Sequence, residues 1–377
     1  MAERKKKIRA ELRKNRGQRP RDTDWTKRFG GENTEADDAP SGERVSGKGE
    51  LTRKRTVVGA EASTDDGGSG VHLAVDEEAC LRGRVLSVHG LTSTVEAEDG
   101  RHYHCTTRRL LKTLSTDQRH VVAAGDRVRF LPADGDEGVI ERVEPRTGVL
   151  SRTSRGRQHT IVTNVDQLLI VTSAAEPYLK PNLIDRFLIS AHKSRLRPLI
   201  VINKIDLADL VSLQPIVGVY SQMGYHVLLV SAKSGMNIDR LRRALSGRAS
   251  AVAGQSGVGK SSLLNSIDPE LRLRVAAVSS ETQKGRHTTT TARLWPLQCG
   301  GYVVDTPGIR QFELWDVIPA EVAGYFRDLR PYANLCRFPN CTHTHEVDCS
   351  VKNAVADGRL DARRYESYCQ LLEGESP

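Results

Sequence analysis

The sequence lacks long hydrophobic runs, and 27% of its residues are charged. A helix that crosses a membrane needs about 20 consecutive apolar residues, so no membrane span and no membrane partner are predicted. The basic N-terminus, MAERKKKIRAELRK, leads into no apolar segment, and we therefore expect no secretory signal and a cytoplasmic location. In that reducing compartment, seven cysteines argue against a disulfide framework.

The net charge of +9 is concentrated at the N-terminus, where residues 1–28 hold twelve Lys or Arg against four Asp or Glu. Such an arm is typical of polyanion binding, because each neutralised phosphate releases counterions, although a solvated tail would have the same composition. Trp25 and Phe29 favour RNA, since aromatic rings stack on bases. The stretch that follows is poor in apolar residues, so residues 1–77 are predicted to form a disordered arm and linker.

Residues 78–150 alternate apolar and polar side chains in short segments such as LRGRVLSVHG, STVEAEDG and DRVRFLPADG. Turn signals, among them Asp99-Gly100 and Asp134-Gly135, separate the segments. About five strands in ~70 residues predict a β-barrel of the OB-fold type. Such a barrel either carries an oligonucleotide or is a structural domain without a ligand.

Residues 151–318 have a different pattern, in which apolar strands such as LLIVTSA, RPLIVINK, HVLLVSAK and ASAVA alternate with helical segments. This alternation predicts an α/β domain with a parallel sheet covered on both faces. Ligands bind such sheets at the carboxyl ends of the strands, and the motifs described next all lie at strand ends.

The segment GQSGVGKS at residues 254–261 matches the pattern GxxxxGK[ST] between a strand and a helix. Its glycines allow backbone N–H groups to surround a phosphate at a helix N-terminus. We expect Lys260 to reach the β- and γ-phosphates and to take part in catalysis, and Ser261 to bind Mg²⁺. The predicted phosphate-binding residues are Gly254, Gln255, Ser256, Gly257, Val258, Gly259, Lys260, Ser261 and Ser262.

The segment NKID at residues 203–206 selects the base. The Asp206 carboxylate can accept hydrogen bonds from the N1–H and 2-amino groups of guanine, whereas adenine offers no such pair of donors. The segment SAK ends the next strand, and we expect its Ala232 N–H to bind the guanine O6. The predicted guanine-binding residues are Asn203, Lys204, Ile205, Asp206, Ser231, Ala232 and Lys233.

A third motif, DTPG at residues 305–308, ends the strand YVV. We expect Asp305 to hold Mg²⁺ through water and the Gly308 N–H to meet the γ-phosphate. The polar segment KGRHTTTTARL before it supplies Thr288 or Thr289 as a further Mg²⁺ ligand, and we assign Thr289 both as this ligand and as a catalytic residue. The alternative is a threonine-rich loop without a metal role.

The position that carries a water-orienting glutamine in many GTPases holds Ile309 in this sequence. We hypothesise that His287 orients the attacking water. A group supplied by a partner is an alternative, and so is a loop histidine without a role.

The order of these motifs is circularly permuted, because the guanine-reading motif precedes the phosphate-binding motif. The same site can be built in either order, since a permutation only moves the chain ends. The phosphate-sensing DTPG segment then leads directly into the C-terminal region, residues 319–377.

That region contains the pattern C-x4-C-x-H-x5-C over residues 336–349. Three thiolates and one imidazole predict a closed, tetrahedral structural zinc site, although His345 competes with His343 for the fourth position. The flanking segments are helical in pattern, and a unit this small needs the metal for its stability. A small α-helical zinc-binding domain is therefore predicted.

Taken together, the motifs NKID, SAKSG, GQSGVGKSSLLN, GRHTTT, DTPGIRQFELW and CRFPNCTHTHEVDC resemble the small ribosomal subunit biogenesis GTPase A (RsgA) family from about Ala79 onward. The resemblance implies a multi-domain chain with an OB-fold barrel, a circularly permuted P-loop GTPase domain and a zinc-binding domain. It also implies GTP hydrolysis stimulated by the small ribosomal subunit, contacts with 16S rRNA, and a role in late subunit maturation. The zinc ligands that it implies are Cys336, Cys341, His343 and Cys349, and we expect a monomer.

Two other classes of function fit parts of the sequence. A regulatory RNA-binding protein that only senses GTP would agree with Ile309. A factor for the large ribosomal subunit would agree with the permuted order, but the barrel before the GTPase domain and the zinc unit after it argue against that function.

Overall fold

The structure, a computed structural model, describes residues 6–11, 54–60, 72–73, 78–108, 121–154, 157–273, 292–305 and 319–373. The chain divides into two compact units. The first comprises residues 1–84, 90–122 and 127–144, and the second comprises residues 85–89, 123–126 and 145–377. Within the described ranges, no helix has both the length and the apolar character needed to cross a membrane.

Three short strands lie in the range that was expected to be disordered. They are β1 (Lys6–Glu11), β2 (Lys54–Ala60) and β3 (His72–Leu73), paired antiparallel in the order β1-β2-β3. None of the three contains proline, so every residue can donate its N–H to the ladder. The other residues of the range 1–77 lie outside the described part of the chain, and for them the expectation stays a prediction.

A closed barrel of five strands lies within residues 81–143, and all of it except the end of β4 belongs to the first unit. Its strands are β4 (Leu81–His89), β5 (Thr92–Ala97), β6 (His102–Thr107), β7 (Arg127–Pro132) and β8 (Glu137–Val143). They follow the order β4-β5-β6-β8-β7, and antiparallel pairing of residues 81–84 with residues 127–130 closes the ring. The expected OB-fold barrel is therefore confirmed.

The barrel closes tightly because β4 carries a glycine where two apolar side chains meet. A Cβ atom at Gly83 would lie 2.5 Å from Val95 Cγ1 and 2.9 Å from Phe130 Cε1. The ring of Phe130 in turn packs at 5.0 Å from that of Tyr103. Alternate residues of β5 and β6 point into this core, as their apolar-polar alternation predicts.

The second unit contains the predicted parallel sheet, preceded by the antiparallel pair β9 (Leu150–Ser154) and β10 (Arg157–Val162). The sheet strands are β11 (Gln167–Ser173), β12 (Arg197–Asn203), β13 (His226–Leu229), β14 (Ala249–Ala253), β15 (Arg293–Pro296) and β16 (Tyr302–Asp305). Their order is β13-β12-β11-β14-β16-β15, with only β15 antiparallel to its neighbour β16. The strands that come later in the chain, β14 to β16, extend the sheet from the β11 edge. The permuted chain thus builds one continuous sheet.

Four helices cover the two faces of the sheet. They are α1 (Pro181–Lys193), α2 (Leu210–Gln222), α3 (Ile238–Leu245) and α4 (Lys260–Ile267). Helices α1 and α2 pack on one face, and α3 and α4 pack on the other. Every residue of β11 and β14 is buried, since a strand covered on both sides has no solvated face.

The C-terminal part of the second unit is helical, as expected. It consists of α5 (Pro319–Tyr325), α6 (Arg330–Ala333), α7 (Ser350–Ala356) and α8 (Ala362–Glu373). Phe326, Leu329, Val351 and Tyr368 form its core, and Ile189 of α1 completes that core from the sheet domain.

One buried carboxylate, Asp126, fixes the connection before β11. It accepts two hydrogen bonds of 2.8 Å from the Arg146 guanidinium, one of 2.7 Å from the Thr163 hydroxyl, and one of 2.8 Å from the Ala123 N–H. Because Asp126 is fully buried, all of these bonds replace contacts with water.

We predict that Asp126→Ala lowers the free energy of unfolding by about 3 kcal/mol, because it leaves the Arg146 charge without its buried partner. Urea denaturation followed by intrinsic fluorescence measures this loss. Asp134→Ala, at an exposed turn, is the matched control and should change stability by no more than about 0.5 kcal/mol. A fall of similar size in both variants would contradict the structural role of Asp126.

Candidate functional site

Three of the motifs meet at one edge of the parallel sheet. Residues 203–206 follow β12, residues 231–233 follow β13, and residues 254–261 follow β14. These strands are parallel, so their carboxyl ends lie side by side. The backbone of Asp305 ends β16, which is parallel to β14, at the same edge.

The side chain of Asn203 joins the three loops. Its amide nitrogen donates to the Val258 carbonyl oxygen at 3.0 Å, and its amide oxygen accepts from the Ala232 N–H at 3.1 Å. Asn203 is 1% exposed, so neither bond competes with bulk water. The position of one loop therefore fixes the positions of the other two.

The glycines of residues 254–261 permit this close approach. Gly259 has a φ of 88°, and a Cβ atom there would lie 2.7 Å from the Asn203 amide nitrogen. Gly254 has a φ of 147°, and its Cβ would lie 2.1 Å from the Val171 carbonyl oxygen. Only glycine fits at both positions, which is what a phosphate-binding loop of this pattern requires.

Helix α4 starts directly after the loop, at Lys260. The backbone N–H groups of its first turn have no partners within the helix and carry the positive end of its dipole. The Lys260 ammonium donates to the Gly254 and Gln255 carbonyl oxygens at 2.7 and 2.6 Å, so it lies against the loop. The start of α4 and the Lys260 charge together form an environment suited to an anion.

Asp206 is exposed, and it is oriented by a buried neighbour. The Ser231 hydroxyl donates to Asp206 Oδ1 at 2.6 Å and accepts from the Ser234 N–H at 3.0 Å. The Ser231 hydrogen bond lowers the pKa of the Asp206 carboxyl, with smaller help from Lys233 and Lys204. Asp206 is therefore an anion at neutral pH. It becomes protonated only at a pH below the range in which aspartates ordinarily titrate.

The two residues between Asn203 and Asp206 make different contacts. Lys204 has a φ of 62°, and its ammonium donates to the Glu176 carbonyl oxygen. Ile205 is buried, and its N–H bonds to the Val230 carbonyl oxygen at 3.3 Å.

Several predicted residues lie outside the described part of the chain. These are His287, Thr288, Thr289, Gly308, Ile309 and the side chain of Asp305. Their assignments stay predictions.

The cysteine pattern of the C-terminal region forms one cluster. The ligand atoms of Cys336, Cys341, His343 and Cys349 all lie within 4.8 Å of one another. His343 Nδ1 is 3.4 Å from Cys336 Sγ and 3.5 Å from Cys349 Sγ, and the two sulfur atoms are 3.8 Å apart. Tetrahedral zinc with Zn–S bonds of about 2.3 Å separates its sulfur ligands by about 3.8 Å, so the cluster has a size that can hold such an ion.

The choice between the two histidines follows from their burial. His343 is 4% exposed and faces the sulfur atoms. His345 points outward, where its Nδ1 lies 3.1 Å from the Thr344 hydroxyl and its Nε2 lies 3.9 Å from Glu346. The geometry thus favours His343, which the spacing in the sequence left open.

Three residues that the sequence analysis missed support the cluster. The Glu346 carboxylate accepts from the Thr342 and Thr344 N–H groups at 2.6 and 3.0 Å. Although desolvation raises its pKa, these bonds and one from the Thr342 hydroxyl lower the pKa of Glu346 to about 2. From α8, the Tyr365 and Tyr368 hydroxyls donate to the His343 and Thr342 carbonyl oxygens at 2.7 and 2.8 Å. The glutamate between the last two ligands was visible in the sequence, but its partners were not.

A Gly-rich loop that opens a helix, tied to an NKID segment that precedes it in the chain, defines a circularly permuted P-loop GTPase. Residues 143–315 match the family model described as RsgA GTPase. The chain belongs to the RsgA family of GTPases and hydrolyses GTP.

Relatives from two bacterial genera support this membership. The protein named small ribosomal subunit biogenesis GTPase RsgA of Chlorobaculum parvum is 41% identical over 305 residues, which cover 78% of this chain and 97% of the relative. Its namesake of Thermotoga petrophila is 41% identical over 295 residues, which cover 77% of this chain and 95% of the relative.

Two solved structures are also similar. The crystal structure of YjeQ from Thermotoga maritima has a TM-score of 0.65 and 38% identity, covering 78% of this chain and 98% of that one. The structure of YloQ, described as a circularly permuted GTPase, has a TM-score of 0.62 and 29% identity, covering 80% and 97%. The predicted fold class is confirmed.

We predict that Gly259→Ala weakens GDP binding by roughly tenfold to 100-fold, because holding an L-residue in this conformation costs roughly 1–3 kcal/mol. Fluorescence of an N-methylanthraniloyl-labelled GDP (mant-GDP) measures the affinity. Gly218→Ala in α2 is the matched control, since no atom lies within 4 Å of its added Cβ. Undiminished binding by Gly259→Ala would show that the three loops do not need their close approach.

Proposed function

We propose that this GTPase binds the small (30S) ribosomal subunit, assists its late maturation and hydrolyses GTP to GDP and phosphate under stimulation by the subunit. The observation that carries the proposal is the Asn203 junction of three GTPase loops, in a chain whose relatives are named for small ribosomal subunit biogenesis. It acts as a monomer in the cytoplasm, where subunits mature.

In this proposal, each domain has its own function. The basic arm and linker (residues 1–77) and the barrel (residues 78–150) contact 16S rRNA, the arm through counterion release. The GTPase domain (residues 151–318) carries the nucleotide. A zinc ion cross-links and stabilises the C-terminal domain (residues 319–377).

Guanine is read by the anion at Asp206. The Ser231 hydroxyl donates to Asp206 Oδ1, and this bond holds the carboxylate that accepts from the N1–H and 2-amino groups of the base. The Ala232 N–H already donates to Asn203, so its contact with the guanine O6 is a shared hydrogen bond. Lys204, Ile205 and Lys233 complete the pocket for the base.

The phosphates lie on residues 254–262 at the start of α4. Lys260 leaves its loop carbonyl oxygens for the β- and γ-phosphates, where its charge stabilises the transition state. Ser261, Thr289 and Asp305 would hold Mg²⁺, which would supply positive charge beside the phosphates when bound. The Gly308 N–H meets the γ-phosphate.

We predict that His287→Ala lowers subunit-stimulated turnover by about 100-fold or more, because a group that positions the attacking water contributes on that scale. GDP affinity should not change, since His287 acts only on the water. Phosphate release at saturating 30S particles measures turnover. His226→Ala, an exposed histidine of β13, is the matched control. Turnover equal in both variants would assign the role to a partner group.

We predict that the purified chain holds one zinc ion and that His343→Ala loses it, whereas His345→Ala retains it. The reason is that only His343 faces the three sulfur atoms. Elemental analysis after gel filtration gives the zinc content. Cys369→Ser serves as a second control, because Cys369 is half-buried on α8 outside the cluster. Loss of zinc from His345→Ala alone would reverse the assignment.

The function itself is tested by GTP hydrolysis across a titration of 30S particles, with the full chain and with residues 1–77 deleted. We expect stimulation by 30S and not by 50S particles, and weaker, less salt-dependent binding after deletion of the arm. Stimulation by 50S particles alone would favour a large-subunit factor. Tight 30S binding without any rise in turnover would favour a GTP sensor.

A further inference from the structure

A buried arginine connects the metal-binding unit to the GTPase helices. Arg364 of α8 has a side chain that is 4% exposed, and its guanidinium forms an ion pair with Asp185 of α1, whose side chain is fully buried. Its Nε and Nη2 atoms donate to the two carboxylate oxygens of Asp328, both at 2.9 Å. Arg364 thereby holds one carboxylate on each side of the junction between the two parts of the unit.

Aromatic residues complete this junction. The Phe326 ring lies 4.3 Å from the Arg364 guanidinium carbon, which places a cation over an aromatic face. The Tyr220 hydroxyl of α2 donates to Asp185 at 2.8 Å, and its oxygen also lies 3.2 Å from the Pro181 carbonyl oxygen. We call Asp185, Tyr220, Asp328 and Arg364 the Arg364 latch. Through it, α8 is tied to α1 directly and to α2 through Asp185.

The guanine-reading loop touches the segment that leads into α1. The Lys204 ammonium donates to the Glu176 carbonyl oxygen, five residues before α1 begins at Pro181. A displacement of Lys204 is therefore passed to the start of the same helix that carries Asp185.

The cluster of three cysteines and His343 contacts α8, the helix that carries Arg364. Tyr365, the residue after Arg364, donates to the His343 carbonyl oxygen, and Tyr368 donates to the Thr342 carbonyl oxygen from the same helix. Hydrogen bonds, the short segment from Glu176 to Pro181, and helices α1 and α8 thus connect the guanine loop to the His343 backbone.

We propose that Arg364 is a positioning residue that couples the two sites, so that the binding of guanine nucleotide and the binding of zinc change each other's affinity. The proposal rests on the zinc-binding role proposed above. Its physical basis is that a buried ion pair resists partial separation, because pulling the charges apart leaves each desolvated without its partner. Helices α1 and α8 therefore move together, and a shift at either end is passed on rather than absorbed.

The coupling is measured on the full chain as two reciprocal quantities. One is the affinity for mant-GDP before and after zinc is removed with a chelator. The other is the affinity for zinc, measured by equilibrium competition with a chelating dye with and without GDP. Coupling between two sites commonly amounts to a factor of about 5 or more, and linkage requires that it act in both directions. We expect mant-GDP affinity to fall about fivefold on zinc removal, and bound GDP to raise the zinc affinity by the same factor.

The test variant is the double substitution Asp185→Asn with Arg364→Met, which removes the pair of charges whose side chains are 0% and 4% exposed and leaves only Asp328, whose side chain is 17% exposed, without its guanidinium partner. It should retain one zinc and bind mant-GDP when zinc is present, while the coupling falls below about twofold. Arg363→Met is the matched control, because Arg363 is the preceding residue on α8 and its ion pair is with Asp361, two positions before it, and not with Asp185 or Asp328. It should retain the wild-type coupling.

Absence of coupling in the wild-type chain, or wild-type coupling in the double variant, would overturn the proposal. These results differ from a failure of the zinc-binding role, which would be seen first as a purified chain without zinc and would overturn this inference with it. A zinc-loaded chain that binds mant-GDP but shows no coupling would refute the Arg364 latch alone.

Discussion

The side-chain amide of Asn203 is buried between three loops, and its two hydrogen bonds hold them at fixed distances from one another. Residues 203, 232 and 258 come from separate strand ends, so nothing in the local chain would bring them together. Residue 259 is a glycine, and the absence of a Cβ atom there leaves room for this amide. Because a hydrogen bond depends on position and not on chain order, the permuted sequence builds the same site as an unpermuted one would.

The C-terminal helical region around the cysteine cluster is stabilised in a different way. Its four helices are short, and their common core includes Ile189, which belongs to the GTPase part of the unit. A core this small offsets little of the entropy lost on folding, so additional constraints are needed. The Glu346 carboxylate holds the chain between Thr342 and Thr344, the Arg364 ion pair ties α8 to α1, and the proposed zinc ion adds a further constraint.

The sequence predicted the parts of the fold and site that short-range patterns encode. The phosphate loop, NKID and the cysteine cluster are local strings with fixed spacing, and the barrel follows from its apolar alternation. The Asp185–Arg364 pair was not predictable, since 179 positions separate the two residues and neither belongs to a motif. The strands β1 to β3 were missed because composition, which indicated a linker, does not show which extended segments pair. The choice of His343 over His345 required side-chain directions that spacing does not contain.

The central position of β11 has a consequence for the synthesis of the chain. This strand pairs with β12, which follows it closely, but its other edge pairs with β14, which begins at Ala249. While the ribosome makes the residues between Asn203 and Ala249, this strand, which is fully buried in the folded chain, has one edge without its native partner. Such an edge is prone to pair with other chains. The permutation therefore leaves the edge of β11 that faces β14 without its partner until residues 249–253 have been made.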